Sequence, residues 1–202
     1  MFFKLLKSLV QESHKKIVKR GQIIYHEGDN PQNLYFVEEG LVGLFHISET
    51  GKETFLRVFN KDCIFGHRSY FAETPYHASA ISLTQSHLTL ISKEECRRIC
   101  EKNPDLLKEL VKIMAKDLGE AELRMAGLQD KTANIRIAES LVYLKLKHPK
   151  HIWTRKEIAE FSGSTFETVT RVMTILSNAG LLQKIGRDYA IESPDNLLAY
   201  TF

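Results

Sequence analysis

The 202-residue sequence is poor in the features that mark several protein classes. It contains only 3 cysteines, a small and odd number that fits a reducing compartment better than a disulfide framework. Its longest apolar runs fall far short of the roughly 18–20 residues needed to cross a bilayer. In Met1-Phe2-Phe3-Lys4-Leu5-Leu6-Lys7, lysines interrupt the unbroken apolar stretch that a signal peptide requires. A cytoplasmic location with no membrane partner is therefore expected. An excess of one charge is nearly lacking as well: 28 Lys plus Arg against 25 Asp plus Glu leave +3, too little to mark a nucleic-acid binder by its sum. No nucleophile–base pair, P-loop or metal-ligand spacing of recognised form occurs, so neither an enzyme nor a metal site is expected.

What is present describes a globular chain of two differently charged parts. Hydrophobic residues make up 43% and charged residues 26%, enough for a packed core. At about 150 residues per domain, the length allows one large or two small domains. Residues 1–130 carry balanced charge, and the whole +3 excess falls in residues 131–202. Without the acidic Glu192 and Asp195, residues 131–191 hold ten basic against five acidic groups, a +5 module attached to a neutral one.

From Gly21 to about Ile91 the pattern is strand-like: Gln22–Tyr25, Asn33–Glu38, Leu41–Ile47, Thr54–Phe59 and His87–Ile91 are short runs separated by turn signals, as in an antiparallel sandwich or barrel. Ser92 is placed to cap a short helix, and Pro104 suits the first turn of the next. From there Leu107, Val111, Met114, Leu118, Ala121, Met125 and Leu128 alternate steps of 4 and 3, a seam that predicts pairing with a second copy of the chain, with Gly119 and Ala121 permitting close approach. A further helix over Thr132 to Lys147 is expected to turn Ile135, Ile137, Leu141, Leu144 and Leu146 toward a second core. The domain bounds expected are 1–103 for the strand-rich part, 104–130 for the pairing helix and 131–202 for the basic part.

Residues 153–176 read as a helix-turn-helix. Thr154 and Glu157 form a capping box, Ala159 is small enough for a close crossing, and Gly163 suits a turn with positive φ. Ile158, Val169 and Val172 fill the wedge, whereas Ser162 stands where an apolar residue is expected. Thr165 caps the second helix, whose first turns expose Phe166, Glu167, Thr170 and Arg171 for reading base edges. Two strand-like pieces around Gly186-Arg187 complete a winged helix. Phosphate contacts are assigned to Arg155, Lys156, Thr165, Thr168 and Lys184, with Lys145, Lys147 and Lys150 adding to the basic surface.

The order of barrel, long helix and winged helix, with Gly28–Gly40, Phe65-Gly66, Asn103-Pro104-Asp105 and Gly163–Arg171, resembles the cyclic-AMP receptor and fumarate-nitrate reduction regulator (Crp-Fnr) superfamily of bacterial transcription factors. The resemblance implies an α+β fold: an antiparallel β-roll (a cyclic-nucleotide-binding-like jelly roll), a long dimerisation helix and a C-terminal winged helix-turn-helix. It implies a homodimer on double-stranded DNA. The Glu-Thr-Val-Thr-Arg at 167–171 looks more like the fumarate-nitrate branch, which implies an inverted repeat with TTGAT-like halves. RNA polymerase contact, by resemblance, falls to the hairpin near Glu49–Lys52 and the loop His148–His151.

Against that family, the sensor half departs from the pattern. Where cyclic-AMP-binding members carry Gly-Glu, Arg-Ser and a Thr on the dimer helix, this chain has Gly66-His67, His77-Ala78 and Ala121. A neutral imidazole does not replace a bidentate guanidinium on a phosphate, so cyclic AMP is not expected to bind in the usual mode. Arg68 beside the altered position is a candidate for meeting an anion. No cysteine precedes Cys63, so an iron–sulfur cluster is not expected, and Cys96 and Cys100 read as small core residues. The alternative function is a haem- or small-molecule-binding sensor acting through protein contacts, in which His67 and His77 would be the haem ligands.

Overall fold

The computed structural model describes residues 13–202, so the reading of Met1–Lys7 lies outside the described residues. The chain divides into two compact units, one ending at Glu120 and the other running from Ala121 to Phe202. The division falls inside the long helix expected over 104–130.

The first unit is built from two four-stranded sheets. One contains β1 (His14–Val18), β3 (Asn33–Glu39), β6 (Ile64–Phe65) and β8 (Ser86–Ser92) in the order β1-β8-β3-β6, and the other contains β2 (Ile23–Tyr25), β4 (Val42–Ile47), β5 (Glu53–Phe59) and β7 (Ser79–Ser82) in the order β2-β7-β4-β5. Every strand pairing is antiparallel. The expected strands are present with ends shifted by at most one residue, while β1, β6 and β7 were not anticipated.

The run Leu34-Tyr35-Phe36-Val37 is continuously apolar because β3 is covered on both faces. Tyr35 and Val37 enter the barrel core with Tyr25, Phe59, Phe65 and Tyr76. Leu34 and Phe36 enter a second core on the outer face, with Cys96, Ile99, Leu106 and Leu110. That outer cover comes from α2 (Lys93–Lys102) and the first turns of α3 (Pro104–Asp130); a shorter helix, α1 (His67–Ala72), packs Tyr70 and Phe71 against it. Ser92 Oγ accepts from the Glu95 N–H, the expected cap. Gly40 has φ of +97°, and a Cβ there would stand 2.7 Å from the Gln85 carbonyl oxygen, so the β3–β4 turn admits no side chain.

The long helix carries two apolar stripes. Leu106 and Leu110 cover their own unit, with Ile113 and Met114 packed against the same core, while Val111, Leu118 and Met125 are 63%, 60% and 59% exposed. Met114 therefore serves its own core and differs from the other seam positions. Arg57 on β5 forms an ion pair with Asp117 and donates to its carbonyl at 3.2 Å, tying the barrel to α3.

In the second unit α4 (Ala133–Lys147), capped by Thr132, meets α5 (Arg155–Ser162) and α6 (Phe166–Asn178), followed by the hairpin β9 (Leu182–Ile185) and β10 (Asp188–Ile191) and by α7 (Pro194–Leu198). Ile137, Leu141, Leu144, Ile158, Val169, Val172 and Leu176 are fully buried. Ile135 and Leu146 were expected to join them but are exposed, because they lie off the 137–141–144 stripe that a helical period makes. Among the described residues no helix is long and apolar enough to cross a membrane.

Candidate nucleic-acid interface and the barrel pocket

The entry to α5 is held by reciprocal bonds: Thr154 Oγ1 accepts from the Glu157 N–H at 3.1 Å, and Glu157 Oε2 accepts from the Thr154 N–H at 2.8 Å. Burial pushes the Glu157 carboxyl up, but His151 and Thr154 outweigh it and hold the group below its ordinary value. Gly163 closes α5 with φ of +65°, as the spacing requires. Ser162, at the expected apolar site, is buried with its hydroxyl donating to the Ala159 carbonyl, which removes the cost of burying it.

Two arginines outside the expected site residues fasten this turn. The Arg124 guanidinium lies 4.3 Å over the Phe161 ring and donates to the Phe161 carbonyl, while Arg136 Nε donates to the Ser162 carbonyl at 3.2 Å. Both occupy carbonyls that the helix end leaves unpaired.

Thr165 Oγ1 accepts from the Thr168 N–H at 3.2 Å and caps α6, so its hydroxyl is engaged at the helix start. Val169, Val172 and Leu176 face inward; Phe166, Glu167 and Arg171 are exposed on the outer side. Thr170 differs from that trio, since its hydroxyl is buried without a hydrogen-bond partner. Arg155 and Lys184 are exposed, Thr168 is half-buried, and Lys156 reaches Glu160 at 3.3 Å in a surface pair that water screens. Lys145 is a correction: its ammonium is 2.5 Å from Asp188 Oδ2 and 5.1 Å from the Tyr189 ring centroid, so it fastens the wing to α4 and is not free for phosphate.

In the loop after α4, His148 and His151 are buried against Trp153, with ring centroids 5.9 and 4.4 Å from it, while Pro149 and Lys150 between them are exposed. Burial, with Lys147 and His151 nearby, lowers the His148 pKa to about 4.

The barrel pocket has the opposite character. Gly66, His67, Arg68 and His77 do line one cavity, but it holds only about 20 Å³, room for one water molecule. The chain's own rings fill the rest: Tyr25 and Tyr76 stack with centroids 3.6 Å apart, and Tyr35 and Phe59 flank Phe65 at 4.9 and 5.5 Å. Burial drives the Tyr25 and Tyr76 hydroxyls well above the usual phenol range. His67 is 2% exposed, neither ring nitrogen has a hydrogen-bond partner, and burial lowers its pKa to about 4. His77 and Arg68 sit at the exposed rim, Ala78 is fully buried, and Ala121 lies exposed on α3. The cavity lacks the volume for a cyclic nucleotide, and the position that resembles the phosphate-binding arginine is His77, whose pKa burial lowers. A haem macrocycle meets the same limit of space.

Comparison with known proteins agrees with this architecture. The Cyclic nucleotide-binding domain profile matches residues 15–103 and the Crp-like helix-turn-helix domain profile residues 135–200. The chain is 36% identical over 114 residues to an uncharacterized protein of Haemophilus influenzae, covering 56% of this chain and 87% of that one. It is 28% identical over 171 residues to the cyclic AMP receptor protein of Thermus thermophilus, covering 84% and 79% of the two chains. A solved transcriptional regulator of the CRP/FNR family, also from Thermus thermophilus, superposes with a TM-score of 0.76 at 25% identity, over 93% of this chain and 99% of that one. The two Thermus thermophilus proteins are transcription regulators and not enzymes, and with both domain profiles matched in order, the chain belongs to the Crp-Fnr family of transcription regulators.

Proposed function

We propose that two copies of this chain pair through the 104–130 segment and read an inverted repeat in double-stranded DNA, in the compartment that holds the DNA. The observation that carries this reading is α6, whose inner face is locked while its outer face offers Phe166, Glu167 and Arg171. Arg171 donates two hydrogen bonds to a guanine, Glu167 accepts from a cytosine amino group, and Phe166 meets a thymine methyl. Thr170 takes part once its hydroxyl turns outward. Arg155, Lys156 and Lys184 contact phosphates, with the backbone and hydroxyls of Thr165 and Thr168.

Pairing is supported by the exposed apolar stripe at Leu107, Val111, Leu118, Met125 and Leu128, which no residue of the same unit covers to the extent that Leu106 and Leu110 are covered. The barrel acts without cyclic AMP in the usual mode, as its filled pocket supports. The exposed Glu49–Lys52 turn is the surface for RNA polymerase.

The test is a mobility shift with TTGAT-type inverted repeats at rising salt. Binding that weakens steeply with salt is expected. Arg171→Ala is expected to lower operator discrimination by about 1–3 kcal/mol and leave the fold intact. Val111→Asp, on the exposed stripe and not in the protein's own core, is expected to give monomers by sedimentation. Absence of any shift at low salt would favour the reading as a sensor that acts through protein contacts.

A further inference from the structure

Cys96 and Cys100 lie one turn apart on α2, outside both the DNA-reading face and the barrel pocket. Cys96 is 7% exposed within the outer core, Cys100 is half-buried, and both line a second cavity of about 20 Å³ whose other walls include Leu34, Phe71 and Leu106. The neighbouring Cys100 thiol, with burial, holds the Cys96 thiol above the ordinary range, and Cys96 in turn holds the Cys100 thiol below it. The Tyr70 hydroxyl from α1 donates to the Lys93 carbonyl at 3.2 Å. Cys63 is differently placed, its thiol donating to Asn60 Oδ1 at 3.2 Å.

Geometry decides what this pair accepts. Cβ atoms on adjacent helical turns stand about 5–6 Å apart, whereas a disulfide draws them to about 3.5–4.5 Å. Direct sulfur–sulfur bonding therefore distorts α2. One bridging atom with two sulfur bonds of about 2.3 Å, the length usual for a metal–thiolate bond, spans the pair with the helix kept. Four-coordinate zinc is disfavoured, since no group of three or more His, Cys, Asp or Glu side chains suited to a metal occurs among the described residues. A monovalent soft cation on two thiolates would leave a net negative charge among Leu34, Phe71 and Leu106, at a high desolvation cost. A neutral bridge has no such penalty.

We propose that Cys96 and Cys100 form a dithiol site for a monomethylated trivalent arsenical. The reaction is a ligand exchange with no change of oxidation state: CH3As(OH)2 plus two thiols gives CH3As(S-Cys)2 plus two waters, with two As–O and two S–H bonds broken and two As–S and two O–H pairs formed. The methyl group is of a size with the adjoining cavity. The staple spans the last turns of α2 just before Asn103, whose amide donates to the Ile99 carbonyl at 2.9 Å and which leads into α3.

The experiment uses the full chain and methylarsonous acid, read by intact-protein mass spectrometry. One methylarsenic unit per chain is expected, released by glutathione about a hundredfold more slowly than from a single-cysteine site because of chelation. Cys96→Ser and Cys100→Ser, nearly isosteric and checked for retained helicity by circular dichroism, are each expected to lose that slow-release adduct, and Cys63→Ser to keep it. Retention of the adduct in either of the first two variants, or rapid release from the unaltered chain, overturns the proposal. So does clean conversion of the pair to a disulfide by diamide with the helical signal of α2 undiminished, since that would place the sulfurs within direct bonding reach.

Discussion

The barrel and the winged helix bury histidines in similar isolation, yet around opposite chemistry. In the barrel, His67 stands at the position that resembles a nucleotide-binding glutamate, with both nitrogens unpartnered and aromatic rings in the space beside it. In the winged helix, His148 and His151 enclose Trp153, and His151 stands 3.6 Å from the capping-box carboxylate of Glu157. The barrel fills the space beside that histidine with its own side chains, while its sheets rest on backbone ladders. In the winged helix the angle between α5 and α6 depends on caps and turn carbonyls as well as on Ile158 and Val172.

The largest effect that would break this contrast lies in the barrel. Tyr76 stacks on Tyr25, and its hydroxyl donates to the Asn33 carbonyl at 3.2 Å. Tyr76→Ala is expected to cost about 3–5 kcal/mol, as for other large buried aromatics, seen as an earlier unfolding transition by circular dichroism. Opening that space is not expected to create cyclic AMP binding by calorimetry, because an imidazole, His77, still stands where the family's phosphate-binding arginine would. Gain of tight binding in this variant would show that ring filling alone, not the missing charge, closes the site.

A second test uses protons. His67 and His148 each have a folded pKa of about 4, below the ordinary 6.5 or so of the unfolded chain. Between those values the unfolded chain binds protons that the folded chain does not. The stability contribution is therefore full above pH 6.5 and falls as pH drops toward 4, by roughly 3 kcal/mol per histidine. Glu157, held below its ordinary value, adds loss in the same direction at the acidic end. The chain has 1 tryptophan, Trp153, so its fluorescence reports the winged helix. Urea unfolding read by Trp153 is expected to weaken from pH 7 to pH 5. His148→Leu is expected to flatten that dependence, and His67→Leu to leave the Trp153 reading alone while flattening the circular dichroism of the barrel.

How far the sequence spoke differs between the halves for physical reasons. Caps and turns are local, so Ser92, Thr154, Gly163 and Thr165 could be placed from neighbours a few residues away, and each occupies its expected position. The strands that were missed had no such mark. β6 is two residues long, and β7 reads Ser-Ala-Ile-Ser; its polar groups find partners only in the fold, with the Ser79 hydroxyl accepting from the Glu27 N–H at 2.9 Å and Ser82 donating to the Thr84 carbonyl at 2.6 Å. Lys145 looked like a phosphate ligand because its partner, Asp188, is 43 residues further on. Arg124 and Arg136 bind backbone carbonyls, which carry no residue identity for a sequence to display. The missing nucleotide contacts were legible in His67, His77 and Ala121, but the rings that fill the cavity come from β2, β3, β5, β6 and the segment before β7, and only the assembled barrel brings them together.

The smallest effect sharpens the contrast at the recognition helix itself. Thr165 caps α6 through the Thr168 N–H and also hydrogen-bonds the Thr168 hydroxyl at 3.0 Å. Thr165→Ala removes the acceptor at an exposed helix start, where water replaces part of what is lost, so the expected cost is only about 1 kcal/mol. That cost belongs to the winged helix, and Trp153-monitored unfolding should show it in full. The effect on operator affinity should exceed the effect on stability, because the freed Thr168 N–H and the loosened first turn carry Phe166 and Glu167, two of the three freely exposed side chains offered to the bases. Gly at the same position restores cap geometry better than Ala, so Thr165→Gly should lie between the unaltered chain and Thr165→Ala in both measurements. An equal loss of stability without any loss of affinity would mean that α6 is ordered by Val169 and Val172 alone, and that the polar geometry at its start is not needed for reading DNA.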